Sequence, residues 1–328
     1  MAVLITGGAG YIGSHTAAEL IDAGEETVII DNLQKGHKDA VLGGKLYIGD
    51  LRDDEFLDKV FRENDIMEVI HFAADSLVGE SMENPLKYYD NNVISTINLM
   101  KKMKQYNVKR IVFSSTAAVY GEPKSVPITE EHITNPTNTY GETKLAVEKA
   151  MQWVDKAYGI KFISLRYFNA SGAHPNGLIG EDHRPESHLI PLILKAALSK
   201  NPVINVFGDD YDTPDGTCIR DYIHVMDLAQ AHILALKKIR NNGKSSIYNL
   251  GNGKGFSVNE VIEIAREVTG VNIKAELTNR RSGDPAVLIA SSDKAREELN
   301  WIPKYDDLKT IIATAWKWHK NHPNGFGK

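Results

Sequence analysis

Along the first half of the chain, short apolar runs alternate with longer segments in which apolar residues return every three or four positions. The runs are AVLIT, TVIID, KLYIG, EVIHFAA, RIVFSS and KFISLRYF. They are rich in β-branched residues and continuous, which is how strands buried on both faces read. Between them, residues 11–23, 53–64, 91–106 and 140–158 have helical spacing and are long enough to cross over a parallel sheet. After Asn169 the rhythm breaks into GAHPNGLIGEDHRPESHLIP, whose Gly, Pro and His content suits a long binding loop or a domain boundary. RDYIHVMDLAQAHILALKK and SIYNLG then read as strand, helix and strand. The pattern predicts an α/β protein with a doubly wound parallel sheet and a smaller, interleaved C-terminal α/β domain. Residues 1–169 are expected to form the first domain, 222–251 to return to it, and 170–328 to form the second.

Composition narrows the function classes. The 328 residues are 42% hydrophobic and 25% charged, ordinary for a soluble globular protein and too long for one small core. Lys and Arg number 38 against 43 Asp and Glu, with no block of like charge. A phosphate-tracking protein is basic, so no nucleic-acid partner is expected. Cys218 is the single cysteine, which leaves no internal disulfide and no Cys pair for zinc, and fits a reducing cytoplasm. No run approaches the ~18 apolar residues of a membrane span. The start MAVLITGGAGYIG lacks a basic leader and a cleavage site, so a cytoplasmic protein with no membrane partner is expected.

AVLIT runs directly into GGAGYIG and then into a helical pattern, which puts the glycines at the first strand-to-helix turn. Gly8, Gly10 and Gly13 fit GxGxxG, and Gly7, Gly10 and Gly13 fit GxxGxxG. Such a turn needs residues without Cβ, so that backbone N–H groups and the helix N-terminus can approach a pyrophosphate. Asp31 ends the next apolar run, about 20 residues on, where a carboxylate accepts hydrogen bonds from an adenosine ribose. The plainer reading of Asp31 is a turn residue beside Asn32. Together the glycines and the acid predict a Rossmann-like site for NAD; a free carboxylate repels a 2′-phosphate, and Lys35 keeps NADP as the minority alternative.

A Tyr followed by Lys at i+4 places ammonium and phenol on one helix face, where the positive charge lowers the Tyr pKa. Three pairs fit. Tyr120 with Lys124 is interrupted by Gly121 and Pro123 and reads as a loop, and Tyr305 with Lys309 as a solvated helix start. Tyr140 with Lys144 follows the helix-start signals Pro136 and Asn138 and opens a long amphipathic segment. It also follows SSTAAVYG, where Ser114, Ser115 and Thr116 end an apolar run at the carboxyl edge of the sheet. Ligands bind at that edge. Tyr140, Lys144 and Thr116 are therefore the candidate catalytic residues, against the plainer alternative of turn hydroxyls and a surface helix. His174, His183 and His188 match no HExxH and no Cys pairing, so no metal is expected.

TGGAGYIGSH, HFAADSLVGES, SSTAAVYG, YGETK, LRYFNASGAHP and RDYIHVMDLA, in this order, resemble the extended short-chain dehydrogenases, and among them the branch that epimerises UDP-hexoses at C4. The resemblance spans about residues 4 to 301. It implies tightly bound NAD, a UDP-hexose substrate interconverted between the glucose and galactose forms, and a homodimer. It also implies cofactor contacts from Tyr11, Ile12, Asp31, Asn32, Asp50, Leu51, Phe72, Ala73, Ala74, Asn92 and Phe168, beside the glycines, Ser114, Tyr140 and Lys144. Substrate contacts are implied for Thr116, Asn169, Leu189, Phe207, Arg220, Arg281 and Asp284. Independently, Arg220 and Arg281 suit a diphosphate because guanidinium binds it bidentately; surface pairing with Asp221 and Asp284 is the bland alternative.

The sequence departs from that family pattern at several places. Ser76 stands where some members carry Lys, which removes a cationic cofactor contact. Thr116 replaces a frequent Ser and keeps the hydroxyl, and His188 replaces a frequent Asn and is not counted as a ligand. Leu288 falls where a bulky aromatic excludes N-acetylated sugars and a small residue admits them; leucine is intermediate. Ala117 and Ala118 occupy the positions where the family's dehydratases and decarboxylases carry acids, which argues against elimination. A silent NAD sensor on the same fold has no need of Tyr140 and Lys144.

Overall fold

A computed structural model describes residues 1–280 and 285–327. Its centre is a parallel sheet of β1 (Ala2–Thr6), β2 (Glu26–Asp31), β3 (Lys45–Ile48), β4 (Ile66–His71), β5 (Arg110–Ser114), β6 (Lys161–Tyr167) and a later strand, Ser246–Leu250. From one edge to the other the order is Ser246–Leu250, β6, β5, β4, β1, β2, β3. The winding reverses between β1 and β4, and that reversal opens a crevice at their carboxyl ends. Thr6 is level with Ile30 on one side and His71 on the other. Just beyond, Phe72 N and Ala73 N both donate to Thr6 O, at 2.9 and 3.1 Å.

The continuous apolar runs are explained by burial on both faces. Val3, Ile5, Ile29, Ile70, Val112 and Ile163 pack on one side with Leu20 of the helix Tyr11–Asp22 and Leu228 and Leu236 of the helix Val225–Asn242. Leu4, Val28, Ile30, Val69, Ile111 and Phe113 face the other way, against Leu57, Leu99, Met103 and Val147 from three further helices. The strand Ser246–Leu250 pairs with β6, Tyr248 opposite Leu165, so the chain returns to this sheet after leaving it. The remaining residues build a separate core of Ile193, Leu194, Val261, Ile262, Ile311 and Ile312 from the helices Leu189–Leu198, Val258–Thr269 and Leu308–Asn321. Against it lies the parallel pair Val203–Phe207 and Lys274–Thr278.

Two local expectations change. The helix read over 91–106 begins earlier, as a π-helical segment Tyr89–Ile94 that continues into Ser95–Gln105. Lys309 is a solvated residue on Glu267, but Tyr305 is not: it stacks on His224 with ring centroids 4.4 Å apart. Among the described residues no helix is long and apolar enough to cross a membrane.

Candidate functional site

A cavity of about 790 Å³ opens at the crevice between β1 and β4, and most of the candidate residues meet there. Its floor is the glycine turn. Gly7 has φ +70°, and a Cβ on it would lie 2.6 Å from Ala73 N; a Cβ on Gly13 would lie 2.2 Å from Gly7 O. Gly7, Gly10 and Gly13 line the cavity and Gly8 does not, so the GxxGxxG reading is the one realised. Gly10 caps the helix Tyr11–Asp22 without any side-chain bond, leaving the first helical amides beside the cavity to serve an anion.

Asp31, at the end of β2, combines both readings offered for it. Its carboxylate accepts from Ala9 N at 3.0 Å and Leu33 N at 2.8 Å, and it also lines the cavity. A carboxylate offers about four acceptor positions, so capacity for ribose hydroxyls remains. Burial raises its pKa, and the backbone bonds act against that rise. Asn32 donates to Asp50 at 3.1 Å, and Arg52 holds the Asp50 carboxyl far below the usual carboxylate range. Lys35, the residue that kept NADP in play, spends its ammonium on the carbonyl of Arg184 across the cavity at 3.1 Å.

The other end is built on the helix Thr139–Tyr158. Asn138 caps it by accepting from Gly141 N at 2.8 Å, which fixes the first turn and with it Tyr140 and Lys144. Both side chains line the cavity with Ser114 and Thr116. Lys144 Nζ donates to Ser114 O at 2.9 Å and stands 5.9 Å from the centre of the Tyr140 ring. Burial pushes the Lys144 pKa down to about 7, against the pull of Glu148 one turn on. Burial pushes Tyr140 up to about 12, and the hydrogen bond from Thr116 pulls the other way. Burial thus outweighs the expected lowering of Tyr140 by Lys144 in the protein alone: the Lys144 amine is desolvated and turned toward Ser114 O rather than toward the phenol.

Behind these groups lies a buried ionic network. Glu148 accepts from Ser115 Oγ at 2.6 Å and from Arg166 Nε at 3.0 Å, while Arg166 Nη1 donates to Tyr120 OH at 2.8 Å. Tyr120 OH in turn donates a hydrogen bond to Asn249 Oδ1 at 2.7 Å, tying the returning strand to the loop that carries Thr116.

The cavity also collects Tyr11, Ile12, Asn32, Asp50, Leu51, Phe72, Ala73, Ala74, Ser76, Phe168, Asn169, Arg220 and Leu288. Three candidates lie elsewhere. Asn92 is buried, its amide used by Asp75 N (2.8 Å), Asp75 O (3.0 Å) and Thr143 Oγ1 (3.1 Å); the π-helical turn presents Asn91 to the cavity in its place. Leu189 packs into the second core and Phe207 ends the strand Val203–Phe207, and neither lines the cavity. Arg281 and Asp284 lie outside the described residues. His188, discounted on sequence, does line the cavity, together with His183, Arg184 and Pro185 of the same loop. Tyr167 was missed as well, although it stands inside the LRYFNASGAHP block.

Comparison with known proteins gives concordant matches. The NAD dependent epimerase/dehydratase family model matches residues 3–251. A protein of Halalkalibacterium halodurans named UDP-glucose 4-epimerase is 60% identical over 326 residues, 99% of this chain and 98% of that one. The crystal structure of UDP-glucose 4-epimerase from Bifidobacterium longum in complex with NAD+ and UDP superposes with a TM-score of 0.94 at 43% identity, covering 99% of this chain and 100% of that one. A UDP-Glc/GlcNAc 4-epimerase from Campylobacter jejuni is also 43% identical, with a TM-score of 0.86 and coverage of 98% and 99%.

Proposed function

The chain belongs to the NAD dependent epimerase/dehydratase family, and on that footing we propose that it interconverts UDP-glucose and UDP-galactose by inverting C4 of the hexose through a 4-ketopyranose. The observation that carries the reading is the meeting of Tyr140, Lys144 and Thr116 with the glycine turn and Asp31 in one cavity. The residues fit the dinucleotide: Gly13 leaves no room for a Cβ against Gly7 O, and uncapped helical amides adjoin it. Bound NAD supplies a hydride acceptor and donor, and a positive charge that lowers the pKa of a neighbouring phenol. Tyr140 takes the proton of the sugar 4-hydroxyl and returns it when C4 is inverted. Thr116 holds a sugar hydroxyl; its Oγ1 already accepts from Ala118 N at 3.1 Å, so its own proton is directed elsewhere. Lys144 bonds a ribose hydroxyl, Ser114 O keeping its amine in place. Arg220 serves the diphosphate, and Arg281 and Asp284 keep their assignment to the nucleotide on sequence alone.

Ala117 and Ala118 line the cavity next to Thr116 and cannot move protons, which supports epimerisation over 4,6-dehydration. We assign the dinucleotide to residues 1–169 with 222–251 and the UDP-sugar to the rest of 170–328. A homodimer in the cytoplasm completes the reading. Leu86, Tyr89, Ile94, Ile97 and Trp153 stay exposed on neighbouring helical segments, an apolar surface suited to a second copy.

The test is to incubate the purified protein with UDP-galactose, adding no cofactor, and to follow the anomeric protons by NMR. UDP-glucose should appear until the mixture stops changing, and Tyr140→Phe should lose at least about 100-fold in kcat while remaining folded. No conversion even after NAD is supplied overturns the substrate assignment; substantial activity in the variant overturns the role of Tyr140. A second reading, action on UDP-N-acetylhexosamines, is supported by the intermediate size of Leu288 in the cavity wall and is decided by repeating the assay with UDP-N-acetylgalactosamine.

A further inference from the structure

We infer that Glu181, His183, Glu186 and His188 form a binding site for one divalent transition-metal ion, of which zinc is the type, and that the ion clips the 181–188 loop closed at the edge of the cavity. One ligating atom from each of the four lies within 4.8 Å of all the others. His183 Nδ1 is 3.1 Å from a Glu181 carboxylate oxygen and 3.8 Å from one of Glu186, and His188 Nδ1 is 3.8 Å from Glu186 and in contact with Glu181. Nitrogen and oxygen ligands 2.0–2.2 Å from a tetrahedral ion stand about 3.3–3.6 Å apart, and the measured separations bracket that spacing.

Both carboxylates are buried, with side chains 3% and 5% exposed. The group is only partly closed on itself. His188 Nδ1 is hydrogen-bonded to Glu181, whereas His183 Nδ1 is near Glu181 but not aligned to bond it, and Glu186 Oε2 is buried without a hydrogen-bond donor, facing Lys195 Nζ at 3.7 Å. Glu186 Oε1 is already oriented by Ser187 N at 2.8 Å and His188 N at 3.0 Å, the outer support that metal-ligating carboxylates use. Two imidazoles and two carboxylates suit zinc and its neighbours, and the two negative charges match a divalent ion. Calcium and magnesium ask for six or more oxygens. On binding, the ion takes one lone pair from each imidazole, and any proton held there passes to solvent.

The position gives the site its consequence. Lys35 Nζ bonds Arg184 O at 3.1 Å and His37 Nε2 meets Asp182 O at 2.8 Å, so this loop spans from the second core to the turn after β2. The Tyr11 ring meets His183 edge-on at 6.2 Å. An ion here fixes the loop over the cofactor end of the cavity. The sequence pattern, E-x-H-x-x-E-x-H in a loop, matches none of the metal motifs considered from sequence, and His174 is not part of the group.

The experiment uses the purified protein with whatever nucleotide it retains, cleared of metal by chelator and dialysis, titrated calorimetrically with zinc chloride. In parallel, cobalt(II) is added and the visible spectrum recorded. The expected result is one zinc per chain, a tetrahedral cobalt band, and affinity weakened at least about 100-fold in His183→Gln/His188→Gln. His132→Gln, on a different loop, should bind as the parent does. If the double variant fails to fold, Glu181→Gln carries the same comparison. Absence of stoichiometric uptake, or equal uptake by the variants, overturns the inference and leaves the four side chains as an ion-paired group.

Discussion

Gly13→Ala sets two physical effects against each other. Gly13 is the third residue of the helix Tyr11–Asp22, and helix propensity alone favours alanine there by about 1 kcal/mol. Sterics oppose it. The new Cβ would stand 2.2 Å from Gly7 O and 2.9 Å from Gly7 C and Gly8 Cα, where ordinary contact begins at 3.4 Å, so about 1.2 Å must be found. Every atom in the way is backbone. Gly7 cannot retreat freely, since a Cβ on it would already sit 2.6 Å from Ala73 N. The helix N-terminus therefore moves out of line with the turn, and the amides of residues 10–13 lose their common focus. If two charge-assisted hydrogen bonds to a diphosphate are lost at about 1.5–3 kcal/mol each, NAD affinity falls by about 3–6 kcal/mol, roughly 10²–10⁴-fold. The assay is the NAD retained through gel filtration, released by denaturation and quantified by mass spectrometry, with calorimetric rebinding to the stripped protein. A Gly13→Ala protein with full NAD content and an unchanged or higher Tm would refute the reasoning, because propensity would then have prevailed over the contact.

Further perturbations test the opposite wall. The buried Lys144, its pKa lowered from 10.5 to about 7, lets the unfolded chain hold a proton that the native state lacks between those values. Stability of nucleotide-stripped protein should therefore rise with pH across that window, and Lys144→Met should lack this rise; equal slopes in urea midpoints at pH 7 and 9.5 would refute it. Glu148→Ala leaves the Arg166 guanidinium, 5% exposed, without its carboxylate and should lose about 3–5 kcal/mol in urea denaturation. Glu148→Ala/Arg166→Met should recover part of that loss, and a single-variant loss under about 1 kcal/mol contradicts burial of the charge. Leu288→Tyr narrows the cavity and should reduce the ratio of N-acetylated to plain UDP-hexose turnover, read by the same NMR assay.

The sheet was legible because parallel strands buried on both faces leave continuous apolar runs, and the glycine turn because sterics there exclude every side chain. Tyr140 and Lys144 were legible because a helix puts i and i+4 on one face, although their charge states were not: spacing says nothing of desolvation. Asn92 was misplaced because one residue of π-helical geometry rotates a face, and Asn91 and Asn92 look alike in sequence. Short strands such as Ile219–Arg220 and Val287–Leu288 have too few residues for any period, so Leu288 came from motif resemblance alone and Arg220 from resemblance together with guanidinium chemistry. The grouping of Glu181, His183, Glu186 and His188 depends on how an irregular loop curls, which no periodicity encodes.

The return of Ser246–Leu250 to the edge of β6 bears on how the protein is made. During synthesis the sheet lacks its last strand until residue 250 has left the ribosome, by which time the helix Leu189–Leu198 and the strand Val203–Phe207 of the second core are outside while its helices Val258–Thr269 and Leu308–Asn321 are still to come. Until then β6 presents an open hydrogen-bonding edge, with Phe162, Ile163 and Leu165 awaiting cover. A fragment cut at residue 169 would keep that edge for good and tend to associate through it. The sheet is therefore completed only after the chain has passed through part of the second core, so the two parts are sewn together by the chain.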